Sequence, residues 1–457
     1  MASKLKIIGG ATLALLVGGA AYLHVAPPEM FRVGSNYSAK IVCSNVFIAN
    51  RDAQAVLNDD VQAPGNPLLR LMKVSVDRER KLVHADLLGF TGKGLAVYRP
   101  GTGCATVPDG DVAAASKPQF EAAPMPAPDS KQAWPAGSQA ETDNAVQALL
   151  ADDQLTGPGM RAVVVIHKGK LIAQRYGAGF DENTPLLGWS MTKSVTAALV
   201  GMAVGDGKLK LDQANLWPTA SPADGREKIT VADLLAMSSG LRFNEDYGMV
   251  SDVTRMLYLE PDMAAFTHSQ PLDHPVGTFW SYSSGTTVLL SRIWQQAVGN
   301  DALTYPQRRL FGPLGMHSAT IEADARGNLV GSSYMYATAQ DWARFGQFLL
   351  QDGVWNGQRL LPEGYVAMMR APAPASKGQY TKGQLWQWGP DSRTPNGKNP
   401  DVAFGLPEDT VWMEGHDGQT VAIVPSKDLV LVRLGLTPYD RYYQPQGLVK
   451  EIIKATD

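Results

Sequence analysis

Gly188-Trp-Ser-Met-Thr-Lys-Ser-Val-Thr-Ala-Ala-Leu-Val-Gly-Met-Ala-Val-Gly-Asp-Gly207 is an apolar, Ala-rich stretch closed by glycines, which predicts a helix with Ser190 at its start. Inside it, Ser190-Met191-Thr192-Lys193 has S-x-x-K spacing. Positions i and i+3 share one helix face, so the hydroxyl and the amine become neighbours, as a serine nucleophile and its base require. The positive end of the helix dipole disfavours an ammonium there and lowers the lysine pKa toward that of a usable base. The spacing alone is weak evidence, because Ser3-Lys4-Leu5-Lys6 has it too.

Working outward, Arg161-Ala-Val-Val-Val-Ile-His-Lys-Gly-Lys-Leu-Ile-Ala-Gln-Arg175 reads as two apolar strands around a Lys-Gly turn, a β-hairpin. Downstream lie Tyr282-Ser283-Ser284, within Phe279–Gly285, and His416-Asp417-Gly418, within Glu414–Gln419. Ile229–Leu241, Leu310–Met316 and Ala337–Gly346 accompany them. Together these segments, from about Pro135 to the C-terminus, resemble the serine β-lactamase and penicillin-binding-protein superfamily. Tyr282-Ser-Ser stands where its class C members carry Y-x-N, and His416-Asp-Gly where they carry K-T-G. The resemblance implies an α+β fold, an antiparallel sheet flanked by helices with a mostly helical subdomain inserted at about 205–344 and the active site between the two parts. It also implies Ser190 as nucleophile, Lys193 and Tyr282 as the proton-transfer pair, and the backbone N–H groups of Ser190 and Gln419 as the oxyanion hole.

Within that superfamily the chain most resembles the aminohexanoate-oligomer hydrolases and related esterases. Phe243-Asn-Glu-Asp-Tyr247 followed by Ser251-Asp-Val is similar to their substrate loop, which gives Tyr247 a contact to the amide near the leaving amine. Tyr247, Ser284, His416 and Gly418 are thus the expected substrate-binding residues. His416 in place of the lysine of K-T-G offers a carboxylate a poorer partner than a permanent cation. Ser284 in place of the asparagine of Y-x-N removes a side-chain amide. The expected activity is therefore hydrolysis of small amides or esters through an acyl-enzyme, not efficient β-lactam hydrolysis. The alternative is a penicillin-binding sensor, a D-Ala-D-Ala carboxypeptidase or a β-lactamase. Tyrosine cannot be a base at pH 7 unless a cation stabilises its phenolate, and whether Lys193 or Tyr282 holds the proton is open at this stage. A rival reading takes Gly188-Trp-Ser-Met-Thr192 as an α/β-hydrolase elbow with Asp409 and His416, but the G-x-S-x-G pattern is one residue short.

The 457 residues hold 41 Lys and Arg against 44 Asp and Glu, a net charge of 41 − 44 = −3, which leaves no basic footprint for nucleic acid. Two cysteines exclude a disulfide scaffold or iron–sulfur protein, and seven histidines without H-E-x-x-H spacing disfavour a zinc hydrolase, so no metal or cofactor is expected. Residues 1–28 read as a membrane segment. The uncharged run from Ile7 to Ala26 would span about 30 Å as a helix, enough for an anchor, with a cleaved signal as the alternative. Lys4 and Lys6 before it place the rest outside the cytoplasm, on the periplasmic side of the inner membrane. Residues 29–108, with β-branched runs at Lys40–Ile48, Leu71–Val76, Lys81–Leu88 and Ala96–Tyr98, suggest a small β-rich accessory region. Cys43 and Cys104 within it are either a disulfide or two buried thiols. Residues 109–144, rich in Ala and Pro, read as a linker or a wrapping strap before a catalytic domain at 145–457. Trp386 and Trp388 either line a pocket or pack in the core. Oligomeric state is not legible.

Overall fold

The computed structural model describes residues 17–63, 65–121, 125–217, 224–248, 250–391 and 397–457. Helix α1 (Glu29–Phe47) lies across a four-stranded antiparallel sheet in sequential order, β1 (Met72–Asp77), β2 (Leu82–Leu87), β3 (Thr91–Arg99) and β4 (Gly103–Thr106). The run Lys40–Ile48 is thus the end of a helix, not a strand. The helix is buried without a break from Ser38 to Val46, with the sheet on one side and Glu322 and Tyr334 at Lys40 on another, and tertiary packing overrides the β-branched preference of Ile41, Val42 and Val46. The approach is close, since a Cβ on Gly94 of β3 would stand 2.4 Å from the Ser35 carbonyl carbon. Cys43 of α1 and Cys104 of β4 form a disulfide across 61 residues. The apolar core runs without a break from Val42 and Val83 to Val195 and Leu199 in the C-terminal part of the chain.

Residues 129–143 form a strap and not a loose linker. Trp134 is buried, Arg344 donates to the carbonyls of Pro135 (3.1 Å) and Gly137 (2.7 Å), and the N–H of Asp143 bonds to Ile172 O at 2.8 Å.

The C-terminal part of the chain is built on a five-stranded antiparallel sheet. The hairpin expected at Arg161–Arg175 is β5 (Met160–His167) and β6 (Lys170–Tyr176). The short strands β7 (Leu186–Leu187), β8 (Thr320–Ile321) and β9 (Met335–Ala337) pair in a second sheet, and β10 (Val354–Trp355) and β11 (Gln358–Arg359) form a hairpin. The C-terminal strands β12 (Val411–Gly415), β13 (Gln419–Val424) and β14 (Leu429–Gly435) join the first pair in the order β12-β13-β14-β5-β6. Successive side chains of a strand face opposite sides, and here both sides are covered. Val163 and Val165 enter a core with Leu448, Val449 and Ile452, whereas Ala162, Val164 and Ile166 face the main core. That double burial explains the unbroken apolar run.

Between the sheet halves come α2 (Thr192–Gly205), α3 (Asp252–Leu259) and α4 (Ser284–Val298), with α5 (Ala339–Leu350) against the sheet. Among the described residues no helix is long and apolar enough to cross a membrane. Of the expected 7–26 span, residues 7–16 lie outside the described residues, and 17–25 are helical.

Candidate active site

β7 delivers the chain to a short 3-10 turn, Trp189–Met191, that runs into α2. A Cβ on Gly188 would fall 2.2 Å from the Trp342 ring, so only glycine fits there. Trp189 has φ +47°, a left-handed conformation of the kind that costs roughly 1–3 kcal/mol and concentrates at functional sites. Ser190 follows directly. Residues 192–203 of α2 are buried all round, which sinks Lys193 into the core with 1% of its surface exposed.

Lys193 Nζ lies 2.9 Å from Ser190 Oγ, 3.0 Å from Ser284 Oγ and 3.0 Å from the Ser332 carbonyl, and 4.7 Å above the Tyr282 ring. Burial drives its pKa down to about 8, against an opposing pull from Glu245. Burial holds the Tyr282 pKa well above the usual tyrosine range, with the nearby Ser190 side chain acting weakly to lower it. Of the two, the lysine is the group that gives up a proton more readily. Tyr282 is wedged by Tyr380 and Trp386, with ring centroids 5.8 and 5.1 Å away, so Trp386 belongs to the aromatic packing behind the site. Trp388 is part-buried.

The expected substrate residues divide. Tyr247 stacks on His416 (4.7 Å between centroids, 22° between planes), and Trp189 meets His416 edge-on at 5.5 Å. These three rings line one wall of a cavity of about 470 Å³, and 39% of the His416 side chain is exposed. Ser284 departs from expectation. It is fully buried, accepts from Lys193 and donates to Glu245, so it serves the lysine and does not line the cavity. Gly418 departs too. It sits in the β12–β13 turn at φ +81°, its carbonyl accepts from Arg433 at 3.0 Å, and it is not among the described lining residues. Gln419 opens β13 opposite Gly415. Its side-chain amide braces that turn through the carbonyls of His416 and Asp417, both at 3.1 Å. A Cβ on Gly415 would lie 2.2 Å from Gly188 O, so the end of β12 abuts the turn that carries Ser190.

Glu245 is the residue that sequence reasoning missed. One carboxylate oxygen accepts from the Ser284 hydroxyl and the other from the Ser284 N–H at 2.8 Å. Burial raises its pKa, while Lys193 and Ser284 act to lower it. Glu245 lies inside the Phe243–Tyr247 segment, but the resemblance that segment carries assigns a role to Tyr247 and none to Glu245. Among the described residues no group of three or more His, Cys, Asp or Glu is placed to hold a metal ion.

The family model described as Beta-lactamase matches residues 143–442. A 6-aminohexanoate-dimer hydrolase of Paenarthrobacter ureafaciens is 25% identical over 328 residues, covering 65% of this chain and 78% of the relative. Penicillin-binding protein 4 of Amycolatopsis lactamdurans is 29% identical over 244 residues, 45% of this chain and 60% of that protein. A solved penicillin-binding-protein homologue from Caulobacter crescentus superposes with a TM-score of 0.52 at 16% identity, covering 68% of this chain and 96% of its own, and shares the fold. With well over half its length matched, and with a β-lactamase-like sheet and helical insert around Ser190, the chain belongs to the Beta-lactamase family, as a hydrolase of the β-lactamase and penicillin-binding-protein group.

Proposed function

We propose that the protein is a serine amidase or esterase of the S-x-x-K type, working through an acyl-enzyme on Ser190. The observation that carries this reading is the buried Lys193 amine, 2.9 Å from Ser190 Oγ with its pKa brought down to about 8. When neutral, that amine keeps Ser284 and Ser332 as acceptors and turns its lone pair to the Ser190 proton. Ser190 Oγ then attacks the carbonyl carbon, and the lysine becomes an ammonium. The developing oxyanion takes hydrogen bonds from the backbone N–H groups of Ser190 and Gln419. On collapse, the Tyr282 phenol, kept protonated by burial, passes its proton to the leaving amine or alkoxide and is recharged from Lys193. Water deacylates Ser190 by the same relay in reverse.

The substrate in this reading is a small uncharged or amine-bearing amide or ester. The Paenarthrobacter relative, named for hydrolysing a 6-aminohexanoate dimer, supports the amide side. The Cys43–Cys104 disulfide supports a location outside the cytoplasm.

The test offers the purified protein a fluorophosphonate probe, then p-nitrophenyl acetate, 6-aminohexanoate dimer, a D-Ala-D-Ala peptide and nitrocefin. Labelling at Ser190 with turnover of ester or dimer is expected, both lost in Ser190→Ala. Labelling that persists without turnover of any substrate would favour the sensor alternative, and no Ser190-dependent labelling would overturn the reading.

A further inference from the structure

We infer that the N-terminal region supplies one wall of the substrate site and selects an uncharged, apolar chain attached to the scissile ester or amide. The inference rests on acyl transfer at Ser190. The cavity of about 470 Å³ falls within the roughly 300–1,000 Å³ of small-molecule sites. One wall is Trp189, Tyr247 and His416; the other is Val33 and Tyr37 of α1 with Leu68 and Leu69 of the following turn. Trp189 lines the cavity and immediately precedes Ser190 in the chain; Ser190 itself is not among the described lining residues, so the cavity is assigned to the part of the substrate beyond the scissile carbonyl. Val33 through Leu69 lie outside the 143–442 family match, so this wall comes from a part of the chain that the family model does not describe.

The wall is held in place. Glu322, beside β8, accepts from Lys40 and, at 2.8 Å, from the Ser44 hydroxyl, and takes the N–H of Cys104 at 2.7 Å. The Arg99 guanidinium donates to the carbonyls of Ala323 (2.6 Å) and Asp324 (2.9 Å). Buried polar contacts on both α1 and the sheet therefore fix the cavity before substrate arrives, which lowers the ordering cost of binding. Its chemistry is selective as well. The described lining residues include neither Lys nor Arg, and Asp417 is the carboxylate among them. A chain ending in a carboxylate would lose its hydration without gaining a permanent cation, whereas each methylene of a neutral chain gains by leaving water.

Two substrate series test this. p-Nitrophenyl esters from acetate to dodecanoate lengthen the acyl side, and alkyl acetates from ethyl to octyl lengthen the leaving side. In at least one series kcat/KM should climb tenfold or more by the eight-carbon member, and which series climbs says which side of the carbonyl enters the cavity. The mono-p-nitrophenyl ester of suberate, an eight-carbon chain ending in a carboxylate, should react at least tenfold more slowly than the octanoate. Leu69→Trp, which fills the cavity, should cut the ratio of long-chain to short-chain kcat/KM in the responding series at least tenfold. Thermal unfolding checks that it folds, and Val33→Phe reads the same ratio if it does not. Two flat series, equal rates for suberate and octanoate esters, or an unchanged ratio in the filled variants would overturn the inference while Ser190-dependent acetate hydrolysis stood. Loss of that hydrolysis from the wild type would instead remove the acyl-transfer reading beneath it.

Discussion

Lys193 Nζ lies 2.9 Å from the Ser190 hydroxyl, one turn back along the chain, and 4.7 Å over the Tyr282 ring. Lys40 Nζ lies 2.9 Å from the Ser44 hydroxyl, one turn ahead, and 4.0 Å over the Tyr334 ring. Both amines are buried, and burial lowers both pKa values. The difference is the carboxylate. Glu322 touches Lys40 directly, whereas Glu245 reaches Lys193 only through the Ser284 hydroxyl. A direct buried pair favours the ammonium and acts as a clamp between distant parts of the chain. With a hydroxyl interposed, Glu245 opposes the lowering less than a direct partner would, and burial brings the Lys193 pKa down to about 8, in the range of a usable base. Serine beside a buried lysine is thus not by itself a catalytic pair.

The widest separation between the two lysines should appear in turnover. Ser190→Ala is expected to lower kcat/KM by more than about a thousandfold, since losing a nucleophile costs at least that much in comparable hydrolases. Lys193→Ala should do nearly as much, and the double variant little more, as the proposed relay requires. Ser44→Ala removes an equivalent hydroxyl at Lys40 and should leave turnover in place, with only a stability loss of about 1–3 kcal/mol. Ester hydrolysis measured across the four proteins checks this, and a Ser44→Ala as inactive as Ser190→Ala would break the comparison.

Lys40→Met tests the clamp itself. It leaves Glu322 buried with its Cys104 and Ser44 donors but no cation, and breaking such a pair costs roughly 3–5 kcal/mol. A urea midpoint measured beside the wild type should fall accordingly, while the folded fraction keeps its acetate hydrolysis. A loss under about 1 kcal/mol would show that the pair does not hold the N-terminal wall.

What the sequence reveals follows the same division. Ser190 and Lys193 are legible because one helical turn brings them together, and the apolar hairpin at 161–175 because both of its faces are buried. Tyr282 and His416 are reached through motif order. Glu245 is illegible, because its partner Ser284 lies 39 residues away and nothing local marks the contact. Ser284 was legible as a motif position but not in its direction, since a hydroxyl can serve a lysine as well as a substrate. Helix α1 was obscured by its own chemistry. It is buried without a break from Ser38 to Val46, with Lys40, Ser44 and Asn45 among the buried residues, so no apolar period marks a helix and the β-branched run at its end reads as a strand. The cavity wall joins Val33, Leu68 and Leu69 to Trp189 and His416, which only tertiary folding brings together.

His416 sharpens the comparison from the substrate side, because the resemblance sets it against the lysine of K-T-G and the structure puts it on the cavity wall. His416→Lys would place a permanent cation at the cavity wall. A charge-assisted hydrogen bond of about 1.5–3 kcal/mol corresponds to roughly a ten- to hundredfold gain in discrimination. The ratio of kcat/KM for nitrocefin to that for p-nitrophenyl butyrate should rise by that order. An unchanged ratio would show that His416 does not meet the bound substrate.

The smallest effect expected is also the most direct reading of the interposed hydroxyl. The charge of Glu245 favours the ammonium form of Lys193 and opposes the desolvation that lowers its pKa. Glu245→Gln removes that charge, so the lysine should lose its proton more readily. The rising limb of kcat/KM against pH, set in the wild type by a lysine at about 8, should move to lower pH. The variant also has a cost, because glutamine offers one acceptor oxygen where Glu245 offers two, so it can accept either the Ser284 N–H or the Ser284 hydroxyl but not both, and a buried donor that loses its partner costs about 1–3 kcal/mol. Stability and pH profile must therefore be measured together, and the direction of the limb is the deciding result. A limb that stayed in place would mean that Lys193 does not sense Glu245 through Ser284, and one that moved upward would reverse the assigned sign. Glu322→Gln supplies the contrast: with Lys40 outside the reaction, the same change of charge should lower the unfolding midpoint and leave the limb where it is.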